Sequence, residues 1–207
     1  MAKFYDLSSL EIKHELITIR RYREGDFAGL EAIFEQEFFT WFFSAYQNCR
    51  EFVQEKMVEY EKGSLIMLVI IDNQTNHIIG TSSLYDISFR HMRLEMGSSW
   101  LARKYHGTQY NALTKFLLID YLLNTLGFNR IQWKTDALNI KSKAAMLKLG
   151  FVYEGTLRRH AITYSGRVRD SLVFAVTDVD WARVKIIIQE RIKQKSVVTL
   201  HGQTNNS

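Results

Sequence analysis

The sequence predicts a single α+β domain, with a mixed and mostly antiparallel sheet flanked by helices. The 207 residues suffice for one domain with a sizeable core. Segments in which apolar residues alternate, as in strands, are interspersed with segments of helical periodicity. Short polar turns join several of the strands, which favours hairpins. A mixed-sheet α/β domain is the alternative that this pattern leaves open.

The elements follow in order along the chain. An N-terminal arm is predicted over 1–15, the main domain over 16–181, and a helix end with a loose tail over 182–207. The predicted strands are 16–22, 64–72, 77–87, 92–102, 129–137, 151–163 and 168–176. The predicted helices are 27–38, 48–62, 111–123, 140–149 and 178–195.

Local signals support the helix boundaries. Asp26 is the predicted N-cap of the first helix, and Asn139 that of the fourth, with Gly150 just past its end. The third helix, from Asn111 onward, has almost no polar face. We therefore expect it to lie buried against the sheet.

Charge and residue counts limit the functional classes. The net charge of +5 and a pI of about 9.2 fit an anionic partner, or simply a soluble basic surface. No recognition motif points to a nucleic acid. Cys49 is the only cysteine, which excludes an intramolecular disulfide, and the six histidines show no metal-ligand spacing. No metal site is expected.

Nothing in the sequence predicts a membrane segment. The first residues lack the apolar core of a signal peptide. The longest apolar run, over 65–71, is far too short to span a bilayer. We therefore expect a cytoplasmic protein without a membrane partner.

The stretch KYHGTQYN, from Lys104 to Asn111, suggests a phosphate-binding turn. It lies between a predicted strand and the apolar helix, whose first N–H groups have no partner within the helix. Gly107 lets the backbone approach a ligand, and Lys104 and His106 add positive or hydrogen-bonding groups. Thr108 either caps the helix or donates to a phosphate. A plain connection is the alternative reading.

Several phrases together resemble the GNAT N-acetyltransferases, in particular the branch of the RimJ/RimL ribosomal-protein acetyltransferases. They are LEMGSSWL, KYHGTQYNALTKFLL, LGFNRIQWKTDALNIKSKAAMLKLGF, YEGTLRRH and GRVRDSLVF, and the resemblance covers about residues 16–181. It implies the GNAT fold and acetyl-CoA as co-substrate.

The resemblance also implies cofactor contacts. The family's loop pattern Q/R-x-x-G-x-G/A places Lys104 first and Gly107 at the first glycine, whereas Gln109 stands where a small residue is usual. Gln109 either crowds the pyrophosphate or contributes its backbone N–H unchanged. The implied contacts are Leu101, Lys104, His106, Gly107, Thr108, Gln109, Asn111, Asn139 and Ser142. For Asn139, simple capping of the next helix is the alternative.

Acetyl transfer to an amine requires a neutral amine, a donor for the oxyanion and a proton for the leaving thiolate. The family takes the oxyanion donor from a strand bulge, which Gly97 would permit here. Glu95 is the candidate base, or else a surface carboxylate paired with Arg93 or Lys134.

The tyrosine acid of many family members is replaced here. Met146 stands at its position, so Ser98 or Ser99 becomes the candidate acid. The lack of a strong acid–base pair favours an α-amine acceptor, because an α-amine is about a tenth neutral at pH 7.

Other readings of the acceptor and of the function stay open. The cations of the hairpin 157–170 either guide an acidic acceptor or are solvated, and the aromatic run 38–43 either lines the acceptor cleft or packs the core. We expect acetylation of a protein N-terminus. Acetylation of a small amine such as a polyamine, amino acid or antibiotic, or a non-catalytic acyl-CoA-binding module, are the alternatives. The C-terminal strands offer a possible homodimer edge.

Overall fold

The described residues form one eight-stranded sheet. The computed structural model describes residues 7–203, without the side chains of Ser8 and 197–203. The strands are β1 Glu11–Lys13, β2 Ile17–Arg21, β3 Leu65–Asp72, β4 His77–Ser88, β5 Arg93–Leu101, β6 Arg130–Asp136, β7 Val152–Ile162 and β8 Val168–Thr177. They lie in the order β1-β2-β3-β4-β5-β6-β8-β7, and neighbouring strands are antiparallel except β5 and β6, which are parallel. The predicted mixed, mostly antiparallel sheet is confirmed.

In the described part of the chain, five α-helices cover the two faces of the sheet. They are α1 Phe27–Glu31, α2 Cys49–Glu61, α3 Tyr110–Asp120, α4 Ile140–Lys148 and α5 Asp178–Gln203. Leu118 of α3 and Ile188 of α5 belong to the core on one face, whereas Phe52 of α2 belongs to a separate core on the other face. β3 is buried along nearly its whole length because helices lie on both of its sides. Its unbroken apolar run follows from that position.

The predicted first helix is shorter than expected. α1 ends at Glu31, and a 3-10 turn, Gln36–Phe39, replaces its second half. The aromatic residues of this segment pack against one another rather than along a helix face: the rings of Phe34 and Phe39 stack at 5.1 Å, and Phe39 contacts Trp100. Phe39 is buried in the core, so this part of the aromatic run packs rather than lines a cleft.

The predicted cap residue Asp26 acts differently from expected. It precedes α1 but makes no side-chain capping bond to that helix. Its carboxylate accepts hydrogen bonds from Nη1 and Nη2 of Arg20, each at 2.7 Å, and from the backbone N–H of Arg23 at 2.7 Å. The ion pair outcompetes the cap because a bidentate guanidinium is the stronger donor.

The ends of the chain are more structured than predicted. β1, within the predicted arm, pairs with β2, and α5 continues to Gln203 rather than ending at 195. Leu10 and Ile188 pack in the same core. The domain boundaries at 16 and 181 stay a prediction. None of the helices described here is long and apolar enough to cross a bilayer.

Candidate active site

The site begins where β5 and β6 separate. These parallel strands pair only from Arg93 opposite Arg130 to Glu95 opposite Gln132. Beyond that point each strand continues without the other, and both end at the same edge of the sheet. Ligands bind at such points in mixed sheets, because the diverging strands leave a crevice between them.

The turn after β5 has the geometry of an anion-binding loop. Gly107 has a φ of +77°, a conformation that favours glycine, and a Cβ there would meet nothing within 4 Å. Among the described residues, no acceptor is in hydrogen-bonding distance of the backbone N–H of Gly107, Gln109 or Asn111. Unpaired N–H groups beside a left-handed glycine and an open space fit a pyrophosphate.

The polar side chains of the turn divide into two groups. Thr108 donates to the carbonyl of Tyr105 at 2.6 Å, and Nε2 of His106 lies 2.8 Å from the carbonyl oxygen of Leu101. These contacts hold the turn itself. Lys104 forms no ion pair within the described chain and lies over the ring of Tyr105 at 4.9 Å, so its charge is available to a ligand. Leu101 is buried at the end of β5.

Gln109 is turned away from the open side. Its side-chain oxygen accepts a hydrogen bond from the hydroxyl of Ser196 on α5. The side chain therefore does not crowd the open side of the turn, and the backbone N–H of Gln109 stays free. This supports the reading that Gln109 contributes its backbone N–H as the family's small residue would. Asn111, at the start of α3, is exposed.

Lys115, on α3, was not singled out in the sequence. It lies beside Asn111 and Ser99, with no carboxylate within 4 Å in the described part of the chain. Burial lowers its pKa to about 8, so most of it carries a positive charge at pH 7. It therefore adds to the positive field of the turn.

The start of α4 contains the second predicted contact region. Asn139 caps the helix, because its Oδ1 accepts the backbone N–H of Ser142 at 3.0 Å. The hydroxyl of Ser142 forms no hydrogen bond with other described residues, and the residue is partly exposed. α4 follows β6 as α3 follows β5, so both helix starts lie at the edge where the crevice opens.

A β-bulge interrupts β5 at the predicted place. Gly97 faces Ser83 and Trp100 faces Thr81, so Ser98 and Ser99 together oppose the single residue Ser82. Ser98, not Gly97, takes the left-handed conformation, with a φ of +46°. Gly97 has another reason to lack a side chain, since a Cβ would lie 3.3 Å from the ring of Tyr85.

The bulge points the two serines to different partners. Ser99 Oγ lies 2.8 Å from Ser82 Oγ and donates to the carbonyl of Gly97. Ser98 Oγ lies 2.5 Å from the hydroxyl of Tyr85 on β4. Sequence reasoning missed Tyr85, because the contact joins strands and no motif marks it.

Glu95 lies at the last position where β5 pairs with β6. Its Oε2 is 2.5 Å from Nζ of Lys134 and 3.4 Å from Nε2 of Gln132. Of the two partners expected for a structural carboxylate, Lys134 is the one observed, and Arg93 pairs with Asp86 instead. Met146, at the family's tyrosine position, is buried in the core.

Positive charge surrounds this part of the site. Partial burial, then repulsion from Lys134 and Arg169, lowers the pKa of His160. Arg169 lies 4.2 Å over the ring of Phe43 and donates to the carbonyl of Trp41 at 3.1 Å. Through Arg169, β8 holds part of the aromatic run 38–43 against the site.

The described residues contain no cluster of histidine, cysteine and carboxylate side chains suited to a metal ion. Cys49 is a buried thiol in α2, and burial raises its pKa to about 11. A thiol in this state is a poor nucleophile. We therefore assign Cys49 to the core.

Known proteins share this sequence pattern and this fold. A family model described as an acetyltransferase (GNAT) domain matches residues 17–152. An uncharacterized N-acetyltransferase, p20, from Bacillus licheniformis is 31% identical over 113 residues. That match covers 55% of this chain and 62% of the relative, so the chain spans less than two thirds of the curated protein's length.

Solved structures share the fold over most of the chain. A GCN5-related N-acetyltransferase from Brucella melitensis has a TM-score of 0.79 at 23% identity, covering 87% of this chain and 84% of that one. The ribosomal-protein-S5-alanine acetyltransferase of Vibrio fischeri has a TM-score of 0.67 at 20% identity, covering 84% and 99%. Spermidine N-acetyltransferase of Vibrio cholerae, in complex with CoA and spermine, has a TM-score of 0.68 at 19% identity, covering 82% and 99%.

Proposed function

This chain belongs to the GNAT acetyltransferase family, and from that premise we propose that it transfers the acetyl group of acetyl-CoA to the α-amine of a protein N-terminus. This is the reaction of the RimJ/RimL branch that the sequence resembles. The thioester of acetyl-CoA supplies the activated acetyl group. The residues of the chain bind it, orient the amine and move protons.

The turn at Gly107 is the proposed binding site for the pyrophosphate of acetyl-CoA. The free N–H groups of Gly107, Gln109 and Asn111 provide donors, and Lys104 and Lys115 provide charge. Thr108, His106 and Leu101 hold the turn in shape. Ser142 and the capped start of α4 flank the crevice from the β6 side.

The ion pair between Glu95 and Lys134 is the observation that carries the choice of acceptor. Oε2 of Glu95 is already occupied by Nζ of Lys134 at 2.5 Å and by Nε2 of Gln132 at 3.4 Å, so the carboxylate is only partly available to take a proton from the acceptor. Making an α-amine neutral at pH 7 costs roughly 1.4 kcal/mol, whereas a lysine costs roughly 4.6 kcal/mol. The α-amine needs less help from a base, so a carboxylate that is already occupied favours the α-amine as acceptor.

The charges around Glu95 support the same choice. Lys134 and Arg169 raise the positive potential around His160, and the latter cation is buried. A polyamine would meet repulsion from each of these cations, whereas a peptide N-terminus brings one titratable charge. The cations also fit a small amine that carries a carboxylate, such as an amino acid, which is our second candidate.

The test compares three acceptors by the release of free CoA thiol from acetyl-CoA. They are a peptide with a free N-terminus, the same peptide acetylated at its N-terminus but carrying a lysine, and spermidine. For the free peptide, kcat/KM should rise with pH and level off near 8, the pKa of an α-amine. Turnover of the blocked peptide or of spermidine at or above that of the free peptide would reject N-terminal acetylation.

Two further expectations belong to this proposal. We expect the reaction in the cytoplasm, where acetyl-CoA is available to new protein N-termini. β7 pairs with β8 on one side, and no other described strand lies on its outer side. It therefore remains our predicted edge for a homodimer, which light scattering of the purified chain would detect.

A further inference from the structure

A buried lysine lies behind the bulge, and the chemistry described so far does not use it. Lys56 of α2 is 4% exposed, and its Nζ is 3.0 Å from Oε1 of Glu55. Its Nζ also lies 5.7 Å from the ring centre of Tyr85 and 5.5 Å from that of Phe52. The hydroxyl of Tyr46 donates to the same Glu55 oxygen at 2.6 Å.

This lysine keeps its positive charge. Burial acts to lower its pKa, but the attraction of Tyr85, Tyr46 and Glu55 outweighs burial and raises the pKa above its usual range. A charged lysine enclosed by aromatic rings is costly unless it stabilises a nearby negative charge. Its hydrogen-bond partners are the part-exposed carboxylate of Glu55 at 3.0 Å and the neutral hydroxyl of Tyr46 at 3.5 Å.

Tyr85 connects this cation to the bulge. Its ring packs over Gly97, its Cα faces Glu95, and its hydroxyl lies 2.5 Å from Ser98 Oγ. Ser98 is the residue that the bulge forces into a left-handed conformation. Such strain at one residue of a strand is characteristic of functional sites. Ser99, bonded to Ser82, has no such connection.

We propose that Lys56, Tyr85 and Ser98 form a proton relay that supplies the leaving CoA thiolate with its proton. The inference rests on the proposed acetyl transfer. As the amine nitrogen bonds to the acetyl carbon and the C–S bond breaks, Ser98 gives its proton to the sulfur and takes the proton of Tyr85. The negative charge left on the Tyr85 oxygen is stabilised by Lys56.

Exchange with water balances the protons lost and gained in each turnover. The amine loses one proton to Glu95 or to water, and Tyr85 regains one from water before the next turnover. A free tyrosine is a weaker acid than a free thiol by about 1.5 pKa units. The proton transfer is therefore unfavourable for an isolated tyrosine, and this is why a buried cation beside Tyr85 matters.

The test uses single and double variants of the full chain. Tyr85→Phe keeps the ring over Gly97 and removes only the hydroxyl. We expect kcat to fall about tenfold or more, with the KM for acetyl-CoA within about twofold of wild type. Tyr153→Phe, which removes the hydroxyl of an exposed tyrosine bonded to Thr156, is the matched control and should leave kcat unchanged.

The relay makes two predictions that a purely structural role does not. Ser98→Ala should lower kcat as much as Tyr85→Phe. The double variant should be no slower than either single variant, because each substitution interrupts the same proton relay. Lys56→Met should lower kcat similarly, and Lys56→Arg should restore most of it.

The outcomes separate this inference from the proposed function. An active wild-type chain whose Tyr85→Phe variant keeps kcat within about twofold overturns the relay alone. A double variant whose loss is the product of the two single losses also overturns it. A wild-type chain that releases no thiol with any amine overturns both proposals. Melting temperatures identify any variant, Lys56→Met above all, whose loss comes from unfolding.

Discussion

The hydroxyl of Tyr105 donates a 2.7 Å hydrogen bond to Oδ2 of Asp72, and both side chains are buried. Asp72 ends β3, and Tyr105 stands two residues before Gly107. The bond therefore fixes the candidate cofactor turn to the end of β3. Burial, then the hydrogen bond to Asp72, raises the pKa of Tyr105, so it remains a donor throughout the usual pH range.

Tyr105→Phe should destabilise the fold by about 1–3 kcal/mol, because it leaves the buried carboxylate of Asp72 without this donor. CoA affinity should fall by a few fold as the turn loosens. Urea unfolding measures the first effect and calorimetry the second. The control Tyr153→Phe removes an exposed hydroxyl and should shift stability by less than about 0.5 kcal/mol. Equal urea midpoints for both variants would contradict the role of the bond.

Gly107→Ala should weaken CoA binding at least tenfold, because its Cβ would occupy the open side of the turn where we place the pyrophosphate. Gly127→Ala is the matched control. Gly127 has a φ of +73° and equally open surroundings, so both variants carry the same backbone strain of about 1–2 kcal/mol. Calorimetric titration should find normal CoA affinity in the control. If the two variants bind CoA equally well, the turn is a connector only.

Glu95→Gln should lower kcat about a hundredfold if Glu95 is the base, with CoA affinity unchanged. The loss should shrink at high pH, where hydroxide deprotonates the amine. Glu154→Gln removes a carboxylate that pairs with Arg130 on the same sheet, and it should leave the rate near wild type. Steady-state rates from pH 6.5 to 9.5 provide the measurement. A rate within about threefold of wild type at pH 7 would assign Glu95 to the ion pair alone.

Arg169→Met should raise the KM for the acceptor about five- to tenfold with little effect on CoA affinity. The variant loses both the contact with Phe43 and the hydrogen bond to Trp41, so the aromatic segment is no longer held against the site. Arg169→Lys should not rescue it fully, because a lysine cannot stack and donate in the same geometry. Arg183→Met, at an exposed arginine on α5, is the control. Unchanged KM in Arg169→Met would place acceptor binding elsewhere.

Much of the fold could be predicted because its signals are local. Strand β3, which ends at Asp72, could be predicted from its apolar run. The hairpin around Gly166 could be predicted from its turn residues. The three residues of β1 are too few to show a period, and only pairing with β2 defines them. The prediction for the second half of the first helix was wrong because Phe34 and Phe39 pack in an aromatic cluster. This tertiary packing overrides the helical periodicity of the sequence.

The candidate site divides in the same way. The turn from Lys104 to Asn111 is one contiguous stretch, so its residues could be found together in the sequence. The bulge was predicted, but its left-handed residue was not, because the register between β4 and β5 decides it. Lys56, Tyr85 and Ser98 come from three elements, and no spacing rule brings them together.

The separation of β5 from β6 creates edges inside the sheet. Past Glu95 the backbone of β5 has no strand on its β6 side. Amide hydrogens on that side should exchange with water as quickly as those of an outer strand. Acetyl-CoA carries amide groups in its pantetheine arm, so a bound molecule can take the place of the missing strand neighbour. The ligand would then complete the sheet, slow the exchange and add its binding energy to the stability of the fold.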